Sequence, residues 1–511
     1  MSARVKKILL LLLAAVLLAG SGRMQKMLDR DRAVLGLTRT DVLDNAPPVL
    51  AFTTVALGGF RGLISNFLWI RANDLQIDDK FFEAAQLADW ITDLEPHFTQ
   101  VWLFQAWNMA YNISVKFKDF PDRWRWVERG IELLRDDGLR YNPNDVLMYR
   151  ELAWFFQHKM GQNLDDGNLY YKQQWTAEMA PLFGENGADF AALLQPQNTN
   201  AMVLRSKYKI DPAFADKVNT QYGPLDWRLP EAHAIYWGAF GLQKAKENPD
   251  KVKADDLITL RRIIYQSMLQ AFYHGRFIAD PFARTYSLGP NLDLIPKVNE
   301  AYETMMQDDP KNRDHIATAH RNFLRNAVYF LYGDNRVADA AKWYRLLAEK
   351  YPNKPIIDLD ANSFPRNLSL DEYAVARFQE DVGDTSQDRT TADVQALLAQ
   401  AYYALAIGQY NRSAGFQLLA QKVYEHYEAG ISAMKSNEQR MGLAPFADLN
   451  RAVLDRLLDP RDEVIPYAMR AVIRSQLGMA GETNLPPATI PTNAPVAAAP
   501  KGTNAAVPAG K

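Results

Sequence analysis

The sequence predicts an all-α fold of stacked helical hairpins that ends in a coreless tail. Three observations lead there. Apolar residues recur at helical spacing in one segment after another. Pro or Gly punctuates most of the junctions between those segments. Alternating runs bounded by hairpin turns are missing, and so are Gly-rich phosphate loops. The chain has 511 residues, 48% hydrophobic and 23% charged, a composition that suits several domains or one long repeat array.

The elements begin with Ile8–Gly20 (ILLLLLAAVLLAG), preceded by Arg4, Lys6 and Lys7. As a helix this stretch rises roughly 20 Å, short of the ~30 Å hydrocarbon core. Its length suits a secretory signal, with the small residues Ala19 and Ser21 near a cleavage point. Arg23 and Lys26 follow at once, as they do after a short anchor. Residues 1–22 therefore read as a signal peptide or a signal anchor, which puts the body in the cell envelope, exported or tethered to the inner membrane. The local LLAGS resembles a lipoprotein box, but Ser21 stands where the lipidated Cys belongs. Residues 23–60 read as a stalk followed by Pro48–Phe60, an apolar capping or membrane-apposed helix that stops at Arg61.

Helical periodicity then runs through Asn66–Leu75, Phe81–Leu94, Trp102–Tyr111, Trp124–Leu134 and Leu147–His158. It returns in Pro230–Lys246, Ala254–Tyr273, His315–Leu331, Ala338–Lys350, Val394–Ala406, Ala414–Ala429 and Pro466–Leu477. Between them, residues 184–310 read as an irregular helical middle region. There Trp227 lies in a turn bracketed by Pro224 and Pro230, where it is expected to pack on a neighbouring helix, with Asp226 or Glu231 capping the next one. Residues 481–511 are rich in Pro, Ala, Thr and Asn, too poor in apolar side chains to offset ordering, and read as a disordered tail.

Some of these helices carry a repeated pattern. Pro96 closes one pair, with Ala72 and Ala84 at small crossing positions. Six residues on, Trp102 opens the next helix and Ala106 takes its small site. The same offset from Pro143 reaches Tyr149, followed by Ala153 and Phe156. Near the other end, Ala340, Tyr344 and Pro352 occupy the late small, aromatic and proline sites. In these residues the chain resembles the tetratricopeptide-repeat (TPR) family over roughly half its length. The resemblance implies a TPR-like α-solenoid, with hairpins in residues 61–183 and 311–480 flanking the middle region. The spacing from Pro96 to Pro143 exceeds the ~34-residue TPR period, which predicts an inserted loop at Lys116–Asp122. Val328 stands where the pattern has a small residue.

Chemistry is hard to find. With no Cys, thiol nucleophiles, disulfides and Cys-ligated metals are excluded. None of the seven histidines pairs at ligand spacing. Asp358, Asp360 and Asn362 begin like a calcium loop, but Ser363 and Ser369 replace its obligatory Gly and Glu. The acidic turn at Asp165, Asp166 and Asn168 reads as the cap of the helix that follows. A formal net charge of −2 gives no global field for nucleic acid. The expectation is a non-catalytic protein–protein interaction scaffold without cofactor or metal, attached to the membrane through its N-terminus. Its partner is another protein or peptide, held in a groove lined by first helices around Leu103–Met109 and Arg150–Phe156, with Leu103, Met109 and Arg150 as markers. The alternatives are an envelope enzyme using paired carboxylates on polysaccharide or peptidoglycan, and a transporter-associated or solute-binding accessory protein.

Overall fold

The computed structural model describes residues 60–480 apart from 163, 185–186, 250–251, 281–284, 359, 383–386, 433–441 and 462–463, with a few isolated positions between 20 and 30. The signal or anchor at 1–22, nearly all of the stalk at 23–60 and the tail at 481–511 lie outside the described residues. Among the described residues, no helix is long and apolar enough to cross a membrane.

The described chain is mostly helical and divides into two compact units. The first runs to Ile278 and includes Ser287–His320; the second comprises Ala279–Tyr286 and everything from Arg321 on.

In the first unit, Phe60–Ile77 and Phe81–Leu94 pack as an antiparallel pair, and Ala72 and Ala84 are fully buried. Next come Thr99–Trp107, Phe120–Glu132, Val146–Trp154 and Asn168–Phe183. Local chemistry starts them. Asp119 accepts from the Asp122 amide, with Pro121 in the first turn, and Asp145 accepts from the Leu147 amide at 3.1 Å. Three of these helices continue into π-helical segments, at Asn108–Ile113, Leu133–Gly138 and Phe155–Gly161.

The expected loop at Lys116–Asp122 shrinks to Phe117–Asp119, because helical turns reach Lys116 and resume at Phe120. The extra residues between Pro96 and Pro143 lie instead in lengthened helices that unwind locally into π turns. Gly130 permits a close approach here, since a Cβ would stand 2.9 Å from the Ala106 carbonyl oxygen.

Pro230–Glu247 packs on both Val146–Trp154 and Ala254–His274. A Cβ on Gly241 would meet the Tyr149 Cβ at 3.0 Å and Leu260 at 3.1 Å. The middle region also contains two strands that the sequence reading missed, Arg276–Asp280 paired with Thr285–Gly289. Each spans five residues, too short for alternation to register against the helical background. Gly289 is needed where Ile278 packs, as a Cβ would lie 2.6 Å from Ile278 Cδ1.

In the second unit, Gln387–Ala406 packs on Tyr410–Ser432, Phe446–Leu458 and Tyr467–Gln476. Gly415 faces the Gly333 carbonyl so closely that a Cβ would stand 2.0 Å from its oxygen. Leu370–Val382 starts with a reciprocal capping box: Glu372 accepts from the Ser369 amide at 2.7 Å, and Ser369 Oγ from the Glu372 amide at 3.2 Å. Ser369, read as the failed end of a calcium loop, is thus a helix cap.

Candidate functional site

The helices that follow Pro96 and Pro143 open in the same way. Trp102 Nε1 donates to the Pro96 carbonyl at 2.8 Å, and the Tyr149 hydroxyl donates to the Pro143 carbonyl at 2.6 Å. Each closing proline is clasped by the aromatic residue six positions later. Asn142 Nδ2 also reaches the Pro96 carbonyl, at 2.8 Å, tying the second junction back to the first. Ala106 and Ala153 are fully buried, and Phe156 packs on Trp175 at 4.9 Å. In the second unit, Ala340 is fully buried and Val328 is accommodated in the core. There the Tyr344 hydroxyl donates to the Pro365 and Leu368 carbonyls rather than to Pro352.

Two of the three groove markers need correction. Leu103 and Met109 are buried, so they are core residues and are not presented to a partner. Arg150 is half-buried and faces Asp256 at 3.5 Å. Sequence spacing does not tell the buried side of these helices from the open one, because an aromatic-rich helix carries apolar side chains on more than one face.

Trp107 is the exposed ring of these two helices, and Tyr111, Trp154 and His158 lie half-buried in line with it. Trp107 is 39% exposed and stacks on Tyr111 with ring centroids 5.5 Å apart. Tyr111 meets His158 at 5.8 Å, and His158 stacks on Trp154 at 4.4 Å. A row of rings thus crosses from one proline-opened helix to the next. Tyr111 and His158 also share a hydrogen bond of 3.1 Å. Glu151 lies among these groups; burial pushes its carboxyl up to about 6, with Arg150 opposing. Burial, then the neighbouring Lys159 charge, lowers His158 from its ordinary value.

Beneath the row sits the acidic turn. Lys159 is almost fully buried and its ammonium lies 2.5 Å from the Asp165 carboxylate. Asp165 also accepts from the Gly167 amide at 2.8 Å and the Tyr171 hydroxyl at 3.3 Å. Arg123 bridges Asp165 and Asp166 and donates to the Phe117 carbonyl at 2.9 Å. Burial alone would raise the Asp165 carboxyl; the Lys159 and Gly167 hydrogen bonds and the Arg123 charge outweigh it and hold the group below its ordinary value. The turn expected to cap a helix is a buried ionic hub joining three helices. No side chain caps Asn168–Phe183.

A second buried centre surrounds the start of Pro230–Glu247. Trp227 is fully buried and packs on Phe183 at 5.4 Å, while Asp226 binds its neighbour Arg228 and caps nothing. Glu231 and Lys172 are both buried, and burial pushes each toward its uncharged form while their mutual attraction opposes it. Neither Glu231 carboxylate oxygen has a hydrogen-bond partner among the described residues. His233 Nε2 lies 2.9 Å from the Trp227 carbonyl, and burial lowers the ring to about 4.

One carboxylate pair also stands out. Glu178 accepts from the Tyr208 hydroxyl at 2.7 Å and from Lys207 at 3.3 Å. Burial, then the Glu178 and Glu132 charges, push nearby Glu128 up to about 7. Among the described residues no group of acidic and histidine side chains could hold a metal ion. No protein-family model, curated protein or solved structure matches the chain.

Proposed function

We propose that the chain is a non-catalytic, TPR-like interaction scaffold of the bacterial cell envelope, attached through its N-terminus, that holds a protein or peptide against the aromatic row. The observation that carries this reading is the repeated junction. Two successive helices open with an aromatic residue clasping the preceding proline carbonyl, and together they align Trp107, Tyr111, Trp154 and His158. An exposed Trp107 with half-buried rings beside it on a helical frame supplies contact area at low entropic cost, which suits recognition of an extended chain. Sequential hairpins closed this way fit a solenoid.

The test is recovery of a partner from crosslinked membranes by the full chain and by Trp107→Ala/Trp154→Ala. Loss of recovery with unchanged circular dichroism supports the reading; undiminished recovery refutes this surface. A C-terminal alkaline-phosphatase fusion should be active if the body lies outside the cytoplasm. The packing behind the reading is checked by Ala153→Trp, which should cost about 1–3 kcal/mol through overpacking; unchanged thermal unfolding would reject the tight crossing.

A second reading is favoured by Glu128 and Glu178, neighbouring carboxylates in unlike environments, as an acid–base pair on polysaccharide requires. Product formation from cell-wall glycans, lost in Glu178→Gln with the fold intact, would replace the scaffold reading.

A further inference from the structure

We propose that the outward face of helix Phe60–Ile77 is a membrane contact in its own right, laying the first hairpin on an anionic lipid surface. The proposal rests on the reading that the N-terminal segment is membrane-associated, and extends it to the folded body.

Leu63, Phe67, Ile70 and Ile77 recur along one side of this helix and are 64%, 70%, 62% and 76% exposed. The opposite side is apolar as well. Leu68 and Trp69 pack on a cluster of Ala88, Ile91 and Val101, and Trp69 meets Phe104 at 5.0 Å. The helix thus has one apolar face for its hairpin partner and a second with no protein against it among the described residues. Isolated exposed apolar residues are ordinary; Leu63, Phe67 and Ile70 form an unbroken patch, with exposed Asp74 between them and Ile77, and a patch of large apolar side chains marks a contact surface.

The sequence says which surface. Apolar Pro48–Phe60 runs straight into this helix, and from Ala46 to Asn73 the chain contains two Arg and no Asp or Glu. A protein partner could take many charge patterns. An acid-free, weakly basic segment adjoining an apolar run suits anionic headgroups over hydrocarbon, and such helices settle roughly 5–10 Å into the interface. Acids appear only at Asp74, Asp78 and Asp79, so the end at Leu63–Ile70 sits deepest and the end at Ile77 lifts toward water.

The absence of Cys makes the test clean. Phe67→Cys, Ile70→Cys and, as a reference on an exposed position of another helix, Lys217→Cys are each spin-labelled in the full chain. The protein is reconstituted with phosphatidylethanolamine–phosphatidylglycerol vesicles, and collisions with oxygen and with a water-soluble nickel chelate are read by electron paramagnetic resonance. Labels at 67 and 70 should collide more with oxygen than with nickel, and the label at 217 should do the reverse. A vesicle-bound chain whose labels at 67 and 70 behave like 217 overturns this proposal alone. So does low collision with both reagents, which means coverage by protein. A chain that fails to float with the vesicles overturns the membrane reading and this proposal with it.

Discussion

Asp165 and Glu231 are carboxylates in the same helical unit, each buried beside a lysine, yet their surroundings drive them in opposite directions. Asp165 receives an ammonium at 2.5 Å, a backbone amide, a hydroxyl and a guanidinium. It is held ionised below its ordinary range. Glu231 is buried with both oxygens lacking a hydrogen-bond partner among the described residues, and burial drives it toward the neutral acid. Burial opposes ionisation in both and is deeper at Glu231, so burial alone explains Glu231 but not Asp165. The donors aimed at Asp165 reverse there what burial does unopposed at Glu231.

The largest effect that tests this contrast is expected from Lys159→Met. Removing the ammonium takes away the closest donor to Asp165, leaving it only Arg123, the Gly167 amide and the Tyr171 hydroxyl, and should cost about 3–5 kcal/mol in urea unfolding. Adding Asp165→Leu should restore most of it; a double variant as unstable as the single one would show that the charge is not what matters. Lys172→Met should cost less, about 1–3 kcal/mol, since Glu231 can take up a proton when its neighbour is lost. Equal losses at the two lysines would break the comparison.

The pH dependence sharpens it. Asp165 is lowered from 3.8, so its stabilisation is complete above that value and is lost as pH falls through the folded pKa. Glu231 is raised from 4.5, so its penalty is absent below that value and grows as pH rises toward the folded pKa. Asp165→Asn should therefore flatten the acid limb of a stability–pH curve, and Glu231→Gln the limb above 4.5. Parallel curves for the two variants would contradict the assignment. The smallest effect is expected at the rim of the hub: Tyr171→Phe removes one hydrogen bond to Asp165 and should cost about 0.5–1.5 kcal/mol.

Neither centre was visible as such in the chain. Phe81–Leu94 has the bounds that periodicity gives it, and Pro230–Glu247, which is buried on every side over its first ten residues, is still marked by the proline at its start and differs by one residue at its end. Trp102 and Tyr149 were legible as junction residues because a fixed offset from proline needs no tertiary information. Their hydrogen bonds to the proline carbonyls were not. Asn168–Phe183 gave a weak signal because polar and apolar residues encircle it: it buries Lys172 and Asn168 alongside Tyr171 and Trp175. The acidic turn at Asp165 looked like a cap because Asp, Gly and Asn favour helix starts. Only the return of Lys159 and Arg123 from other helices makes it a hub. The aromatic row was hidden for a related reason, since core and surface rings share the same helices and spacing cannot sort them.

The three π-helical segments carry a further consequence. An α-helix turns about 100° per residue, and a π-bulge adds a residue without adding a turn. Each therefore acts as a phase shifter, rotating every side chain beyond it relative to those before it. Asn108–Ile113 and Phe155–Gly161 continue the two helices that open with Trp102 and Tyr149. The opening half of each helix keys on its proline, and the closing half is turned to offer Tyr111 or His158 to the row. A single-residue deletion inside either segment would leave the junction in register and point the far half of the helix at a different neighbour.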